Sequence, residues 1–503
     1  MTDTGHAVEA LVQDALAVHG DDPTLRAELE AYGVRLREPL LVALAGMVKA
    51  GKSTLLNAII GEEIAPTDTG ECTRIVTWYR WAATPRITLY PVEGEPVLLP
   101  VRRVDGRLQF DLGEVKAEDA RRLVVDWPAE RLRQLTLIDT PGIASLSSDV
   151  SERSVAFLTP EDSPSEADAV VYLMRHLHAS DLNFLEAFRD TGGGTSGTVN
   201  ALAVLSRADE VGAGRIDSLI SAGTIADRYR ADPSLRALAL EVVPIAGLLA
   251  QTARTLRQSE YNALAVLASA DRTTREGLLL SADRFIRTEF SPEVDRELRE
   301  ALLERFGLFG IRLACALLHG KVHNSSDLAR ELARRSGLDQ LLLLIEQQFQ
   351  ARGAQLRART ALTGVEALVR SHPREGGAAL LTAIERIHTG AHEIQELRLL
   401  SALRSRAVPL APAQAAEAER LIGGSGVTPA QRLAFDDAAP QVELRAGALA
   451  QLHRWRLISE NPLTDRGAAE ACAVVVRTCE KLVQEADDGE VTFARATVPG
   501  ARP

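Results

Sequence analysis

Apolar side chains recur at helical spacing through residues 6–38, and the run is broken at Gly20, Asp21, Asp22 and Pro23. This pattern predicts two amphipathic helices joined by a turn. From Leu40 to about Gly247 it changes to short apolar runs: LLVALA, RIVTWYRW, RITLYPV, LTLIDT, AVVYLM, ALAVLS and LEVVPI. Strands spaced in this way, with helices between several of them, predict a mostly parallel α/β sheet flanked by helices. Beyond Leu248 the chain reads as helix almost without a break to about Glu485, with Pro and Gly gathered near 290, 373, 409–412 and 423–429. That stretch predicts an elongated all-α bundle, closed by the N-terminal helices and by long helices returning from the C-terminus. The expected divisions are N-terminal helices at 1–38, an α/β domain at 39–250, a helical region at 251–485 and a loose tail at 486–503.

Composition narrows the class. A chain of 503 residues is too long for one core and suggests two or three domains. With 46% hydrophobic and 25% charged residues it reads as a folded soluble protein, and 4% aromatic content favours long helices over β-sandwiches. The net charge of −12 argues against a nucleic-acid partner and offers no attraction to anionic lipid. Of four cysteines, Cys472 and Cys479 fall on one predicted helix. Seven residues apart, they would lie about 10 Å from each other, too far for a disulfide. All four are read as buried thiols of a reducing cytoplasm. The N-terminus lacks the basic start and apolar core of a signal peptide, and no apolar run approaches the roughly 18 residues of a membrane span. A cytoplasmic location is expected.

The chemistry begins where LLVALA turns into a helix. Gly46, Gly51, Lys52 and Ser53 match G-x-x-x-x-G-K-[ST]. A strand before the match and a helix after it make the match specific. Backbone amides from Gly46 through Val48, Lys49, Ala50 and Gly51 to Thr54 are expected to wrap phosphates, Lys52 to reach the β and γ oxygens, and Ser53 to bind Mg²⁺. The loop alone leaves ATP and GTP open. Downstream, TLIDTPG sets Asp139 at a strand end, where it holds Mg²⁺ through water, and the Gly142 N–H senses the γ-phosphate. Between them, PTDTGECTR offers Thr67, Thr69 and Thr73, and Thr73 is the choice to complete the Mg²⁺ shell.

Base selection is read from LAVLSRADEV, where Ser206, Arg207 and Asp209 stand at the positions of [NT]-K-x-D. An aspartate there accepts from the N1 and N2 donors of guanine, and an arginine stacks on a purine as a lysine stem does. Ala246 and Gly247 in VVPIAG fit a loop whose amide meets the guanine O6. The expected ligands are GTP and GDP with Mg²⁺. The glycine run at 190–200 reads as a loop between a helix and a strand, and His176 and His178 lack metal-ligand spacing.

Taken together, GMVKAGKSTLLNAIIG, PTDTGECTRIVTWYRW, VVDWPAERLRQLTLIDTPG, SRADEVG and VVPIAGLLA resemble the dynamin superfamily, specifically bacterial dynamin-like GTPases such as the isoniazid-inducible group of mycobacteria. The helical half, with ERFGLFGIRLACALLHG and LHRWRLISENPL, resembles that group's stalk. The resemblance implies a GTPase head on a helical neck and trunk, head-to-head homodimerisation in the GTP state, and action at the inner face of the plasma membrane. It also places a membrane tip at the far end of the trunk, which corresponds to about residues 405–440, with Val408, Leu410, Leu421, Ile422, Leu433 and Phe435. That interval lacks a basic patch or a sustained apolar loop, and the cluster of Phe306, Leu308 and Phe309 reads as core. A GTP-regulated subunit that assembles on a sister dynamin-like protein is the alternative, and a signalling switch a third.

One departure from the family pattern concerns catalysis. Dynamins proper resemble G-x-Q-S-x-G-K-S, whose Gln and Ser help to place water and a monovalent cation. Here those positions are Val48 and Lys49. The Lys49 ammonium is therefore expected to supply positive charge near the β–γ bridge, as an arginine finger does. Lys49, Thr73 and Gly142 are the candidate catalytic residues.

Overall fold

The computed structural model describes residues 3–66, 75–104, 106–113, 115–142, 158, 165, 167–188, 200–320 and 322–497. Thr67, Thr69, Thr73, Cys72 and the glycine run lie outside the described residues. Among the described residues eleven strands are present, nine of them in one sheet of order β11-β10-β9-β1-β8-β2-β7-β3-β4. Its centre is β1 (Leu40–Gly46), all seven residues of which are buried. β1 pairs in parallel with β8 (Leu135–Asp139) and β9 (Ala169–Met174), and β10 (Ala201–Ser206) and β11 (Val242–Ile245) continue the parallel half. These are the continuous apolar runs of the sequence, as strands covered on both faces require.

The other half of the sheet is mixed. β2 (Thr77–Trp81) runs antiparallel to β8 and parallel to β7 (Ala120–Trp127), and β3 (Arg86–Pro91) is antiparallel to β7 and to β4 (Val97–Leu99). β4, β7 and the hairpin of β5 (Arg102–Val104) with β6 (Arg107–Gln109) were not among the strands read from sequence. β7 was hidden by its charged start. The Arg122 guanidinium lies flat over the rings of Trp78 and Tyr90, 5.1 and 4.8 Å from their centroids. β4, β5 and β6 are three residues each, too short to show alternation.

After β11 the described residues are helical, with no further strand. The N-terminal helices α1 (Asp3–His19) and α2 (Pro23–Arg35) form as their pattern predicts. Asp22 caps α2 by accepting from the amides of Thr24 and Leu25, with Pro23 in the first turn. They bury Val8, Leu11, Leu29 and Tyr32 against Ala358, Leu362 and Val365 of the Gly353–Ser371 helix and against the Gly377–Gly390 helix. Their main partners are thus mid-chain helices rather than the last ones. Gly364 is the point of closest approach: a Cβ there would lie 2.2 Å from the Tyr32 ring.

Packing corrects the trunk-tip assignment. Leu421, Ile422 and Leu433 in the 405–440 interval are buried in the same core cluster as the central sheet, with Val408 and Leu410 packed on it. Arg404 donates to the carbonyls of Arg236, Ala239 and Leu240, and Glu419 bridges Arg404 and Arg236 at 2.6 Å each. The interval is therefore folded against the edge of the α/β half. Apolar residues that a sequence pattern cannot distinguish from a membrane paddle are here used as core. Phe306 and Phe309 are buried as expected, and Cys315, Cys472 and Cys479 are free buried thiols.

The same interval is held by a buried carboxylate. Glu396 accepts from Arg432 at 2.9 Å and from Thr478 at 2.8 Å, with His392 on the same oxygen. Burial alone would raise its pKa, but the His392 hydrogen bond, the charges of Arg432 and His392, and the Thr478 bond hold it down at about 2. A lowered carboxylate pKa stabilises the fold above the unfolded value and loses that contribution as pH falls. Glu396→Ala should therefore cost about 3–5 kcal/mol in urea unfolding at pH 7, because Arg432 is left buried and unpaired. The gap between wild type and variant should shrink between pH 4.5 and about 2. A gap independent of pH over that range would show that the carboxylate charge is not what stabilises.

Candidate active site

Gly46 ends β1 with φ 145°, and a Cβ there would strike the Leu173 carbonyl oxygen at 2.2 Å. This close passage past β9 turns the chain into the loop. Lys49 takes a left-handed φ of 62°, Gly51 one of 93°, and α3 (Lys52–Ile60) begins at once. The first amides of α3 have no carbonyl one turn back, which makes the loop an anion cradle. Lys52 bends back over it, donating to the carbonyls of Gly46 (3.2 Å) and Met47 (3.4 Å).

β8 delivers Asp139 opposite Leu44. Its Oδ2 accepts from Ser53 Oγ at 2.7 Å, and its Oδ1 is buried with no hydrogen-bond partner among the described residues. Burial pushes Asp139 up, against the pull of Lys52 and the Ser53 bond, and burial pushes Lys52 down, against Asp139. Both groups thus sit in a place that disfavours their charges until counter-charges arrive. A serine hydroxyl and a carboxylate with one idle oxygen are the donor set of a hard cation, so the residues present fit Mg²⁺. Thr140 anchors the turn by donating to Leu44 O at 2.8 Å, and Gly142 passes so close to Val48 that a Cβ would lie 2.8 Å from its Cα.

A cleft of about 170 Å³ opens beside the loop, lined among others by Ala50, Gly51, Thr54, Ser206, Arg207 and Asp209. Gly247 closes its floor, with Leu173, Val204 and Ile245 as apolar walls. Thus most of the sequence-chosen base residues meet at one cavity, whose apolar lining and buried carboxylate suit a purine. Burial raises the pKa of Asp209 there. Ser206 donates to Met174 O at 3.1 Å, and Arg207 donates to Glu210 at 2.6 Å and to the Lys49 carbonyl at 2.9 Å. Arg207 thereby couples the base loop to the phosphate loop. Glu210 was missed by sequence reading; its place one residue after the Asp209 position was the available signal. Ala246 differs from expectation: its N–H donates to Ser336 O at 2.9 Å. The amide left for a base oxygen is that of Gly247, which opens the Gly247–Arg254 helix. The Lys49 side chain is exposed and makes no ion pair among the described residues. The rings of His176 and His178 lie edge to face with centroids 6.3 Å apart.

Sheet order, phosphate loop and base cleft together define a P-loop GTPase of the dynamin-like class. The 50S ribosome-binding GTPase family matches residues 41–193. The chain belongs to the family of the isoniazid-induced protein IniC of Mycobacterium tuberculosis, to which it is 43% identical over 488 residues, 96% of this chain and 99% of that protein. It is also similar to the bacterial dynamin-like protein of Nostoc punctiforme, 27% identical over 26% of this chain and 19% of the other. Among solved structures, one of an oligomerised bacterial dynamin pair aligns with 98% of this chain and 76% of its own at 12% identity and a TM-score of 0.33.

Asp209→Asn should weaken GTP binding by roughly 100-fold or more, since a buried donor pair on guanine loses its acceptor. Affinity for xanthosine triphosphate should rise in the same variant. Titration that finds ATP bound as tightly as GTP by the wild type would overturn the assignment of Asp209.

Proposed function

We propose that this chain hydrolyses GTP with Mg²⁺ and couples the cycle to head-to-head dimerisation and to remodelling or maintenance of the inner membrane. The observation that carries the Mg²⁺ reading is the 2.7 Å contact of Ser53 with Asp139, whose second oxygen is idle. Bound Mg²⁺ supplies charge neutralisation of the β and γ oxygens. The chain's own residues supply the rest. Amides of Gly46–Thr54 hold the phosphates, Lys52 swings from its two carbonyls to the phosphate oxygens, and Gly142 meets the γ-phosphate. Thr73 adds a hydroxyl once the γ-phosphate is present. Asp209, Arg207, Ser206 and the Gly247 amide hold guanine.

Lys49 is assigned the catalytic charge. Two features support this reading: the Lys49 side chain is exposed, and its left-handed backbone is tied through its carbonyl to Arg207 at the mouth of the loop. There it reaches its own γ-phosphate or that of a partner head. Burial of Leu421, Ile422 and Leu433 within 405–440, with only Phe435 of the six tip residues exposed, favours a second reading for the membrane step, in which the chain assembles on a sister dynamin-like protein and binds lipid weakly by itself.

Lys49→Ala should keep GTP affinity within about threefold yet lower turnover by 10²-fold or more, the scale of a lost charge at the transition state. Wild-type turnover should need neither K⁺ nor Na⁺, and the rate per head should rise with protein concentration. Hydrolysis by Lys49→Ala at the wild-type rate would place the catalytic charge elsewhere. Lys52→Ala should abolish nucleotide binding, whereas Thr73→Ala should spare GDP binding and reduce hydrolysis. Equal loss of both in Thr73→Ala would point to another threonine. Co-sedimentation with liposomes, with and without GTP, separates the two membrane readings: pelleting by the chain alone supports direct remodelling, and its absence supports assembly on a sister.

A further inference from the structure

A cleft of about 510 Å³, away from the nucleotide site, lies between α1, the Gly377–Gly390 helix and the Arg466–Thr497 helix. Its volume falls in the range of small-molecule sites. Two properties distinguish it from a packing defect. Its apolar part is built from Leu11, Ile387 and small residues such as Ala7 and Ala383, which leave room rather than fill it. Its polar part is cationic, although the chain carries a net charge of −12.

Arg477 and Lys481 stand one helical turn apart and share a face, and Arg386 faces them from the Gly377–Gly390 helix. Arg386 and Arg477 are exposed and form no ion pair among the described residues. The acidic side chains on the cleft are Asp14 and Glu393, and Glu393 is already neutralised by Lys481 and by the Thr4 hydroxyl at 3.0 Å. A second observation comes from His392, which lines the cleft while 2% exposed. Its Nε2 is engaged by Thr478 at 3.0 Å, and its buried Nδ1 has no partner among the described residues.

We propose that this cleft binds an anionic amphiphile. The phosphate or carboxylate head pairs with Arg386 and Arg477, whose forked guanidinium groups suit either anion. A chain lies over Leu11 and Ile387, beside the buried His392. A free anion would leave the apolar half wet, and an uncharged lipid would leave the arginines unused. Because α1 and the last helix form two walls, occupancy ties both ends of the chain to the Gly377–Gly390 helix. The site stands independently of the nucleotide chemistry.

The test uses the full chain and three probes in calorimetric titration below their micellar concentrations: dioctanoyl phosphatidic acid, dioctanoyl phosphatidylcholine and inorganic phosphate. Phosphatidic acid should bind saturably, one per chain, at least tenfold tighter than either other probe. Arg386→Gln with Arg477→Gln should weaken it by tenfold or more, and Ala7→Trp, which fills the cleft from an exposed position, should abolish it. GTP hydrolysis should be unchanged in all of these variants, which separates failure here from failure of the GTPase reading. Phosphate bound as tightly as phosphatidic acid would reduce the site to a simple anion patch. Affinity unaltered in Ala7→Trp would place any lipid elsewhere, and either result overturns the proposal.

Discussion

The parallel pairing of β1 with β8, in the register that sets Leu44 against Asp139, is the constraint on which the catalytic end of the molecule depends. Both strands are buried on both faces, so neither can shift without exposing apolar surface. A slip of one residue would move Asp139 by about 3.3 Å and take its carboxylate out of reach of Ser53. The register thus converts sheet packing into the position of a carboxylate oxygen. It also keeps Lys52 and Asp139 together in a poorly solvated place, where each offsets part of the cost of the other's charge.

What lies beyond the sheet is less separate than a head on a stalk. One core cluster runs from Leu40 and Leu137 through Leu338, Phe349 and Leu356 to Leu400, Trp455 and Cys479. Charged side chains fasten the same junction. Arg305 is buried with Glu63, which follows α3, and with Glu260, while Arg404 fixes the segment before β11. Buried guanidinium groups of this kind are costly unless every donor is used, so they resist rearrangement. The helical half therefore meets the α/β half just after α3, where Arg305 pairs with Glu63, and after β11, where the Ser336 carbonyl accepts from the Ala246 amide.

Local chemistry was legible wherever it was carried by contiguous residues with a steric or electrostatic requirement. Gly46, Gly51, Lys52 and Ser53 form one loop because no other spacing closes it, and DTPG at a strand end marks Asp139 and Gly142 for the same reason. The seven apolar runs read as strands are all strands: those of β1, β8, β9 and β10 are apolar because both faces are covered, whereas β2 and β3 alternate buried with half-buried or exposed positions. β7 escaped because Arg121 and Arg122 interrupt its run, and cation–π stacking on Trp78 and Tyr90 is visible only once those rings are neighbours.

By itself, then, the sequence picked out the residues that form the phosphate loop and most of those that line the cleft beside it, and showed that helices follow the sheet. Only the tertiary structure decided how the remaining apolar and charged residues are used. Leu421, Ile422 and Leu433 could equally have faced lipid, and they face Leu400 and the sheet because Arg404 and Glu419 dock that interval on the β11 side. The Ala246 amide could have met a base and instead meets Ser336 from 90 residues away in the chain. Hydrophobicity states that a side chain will leave water; it carries no information about which surface receives it, and that choice belongs to long-range packing.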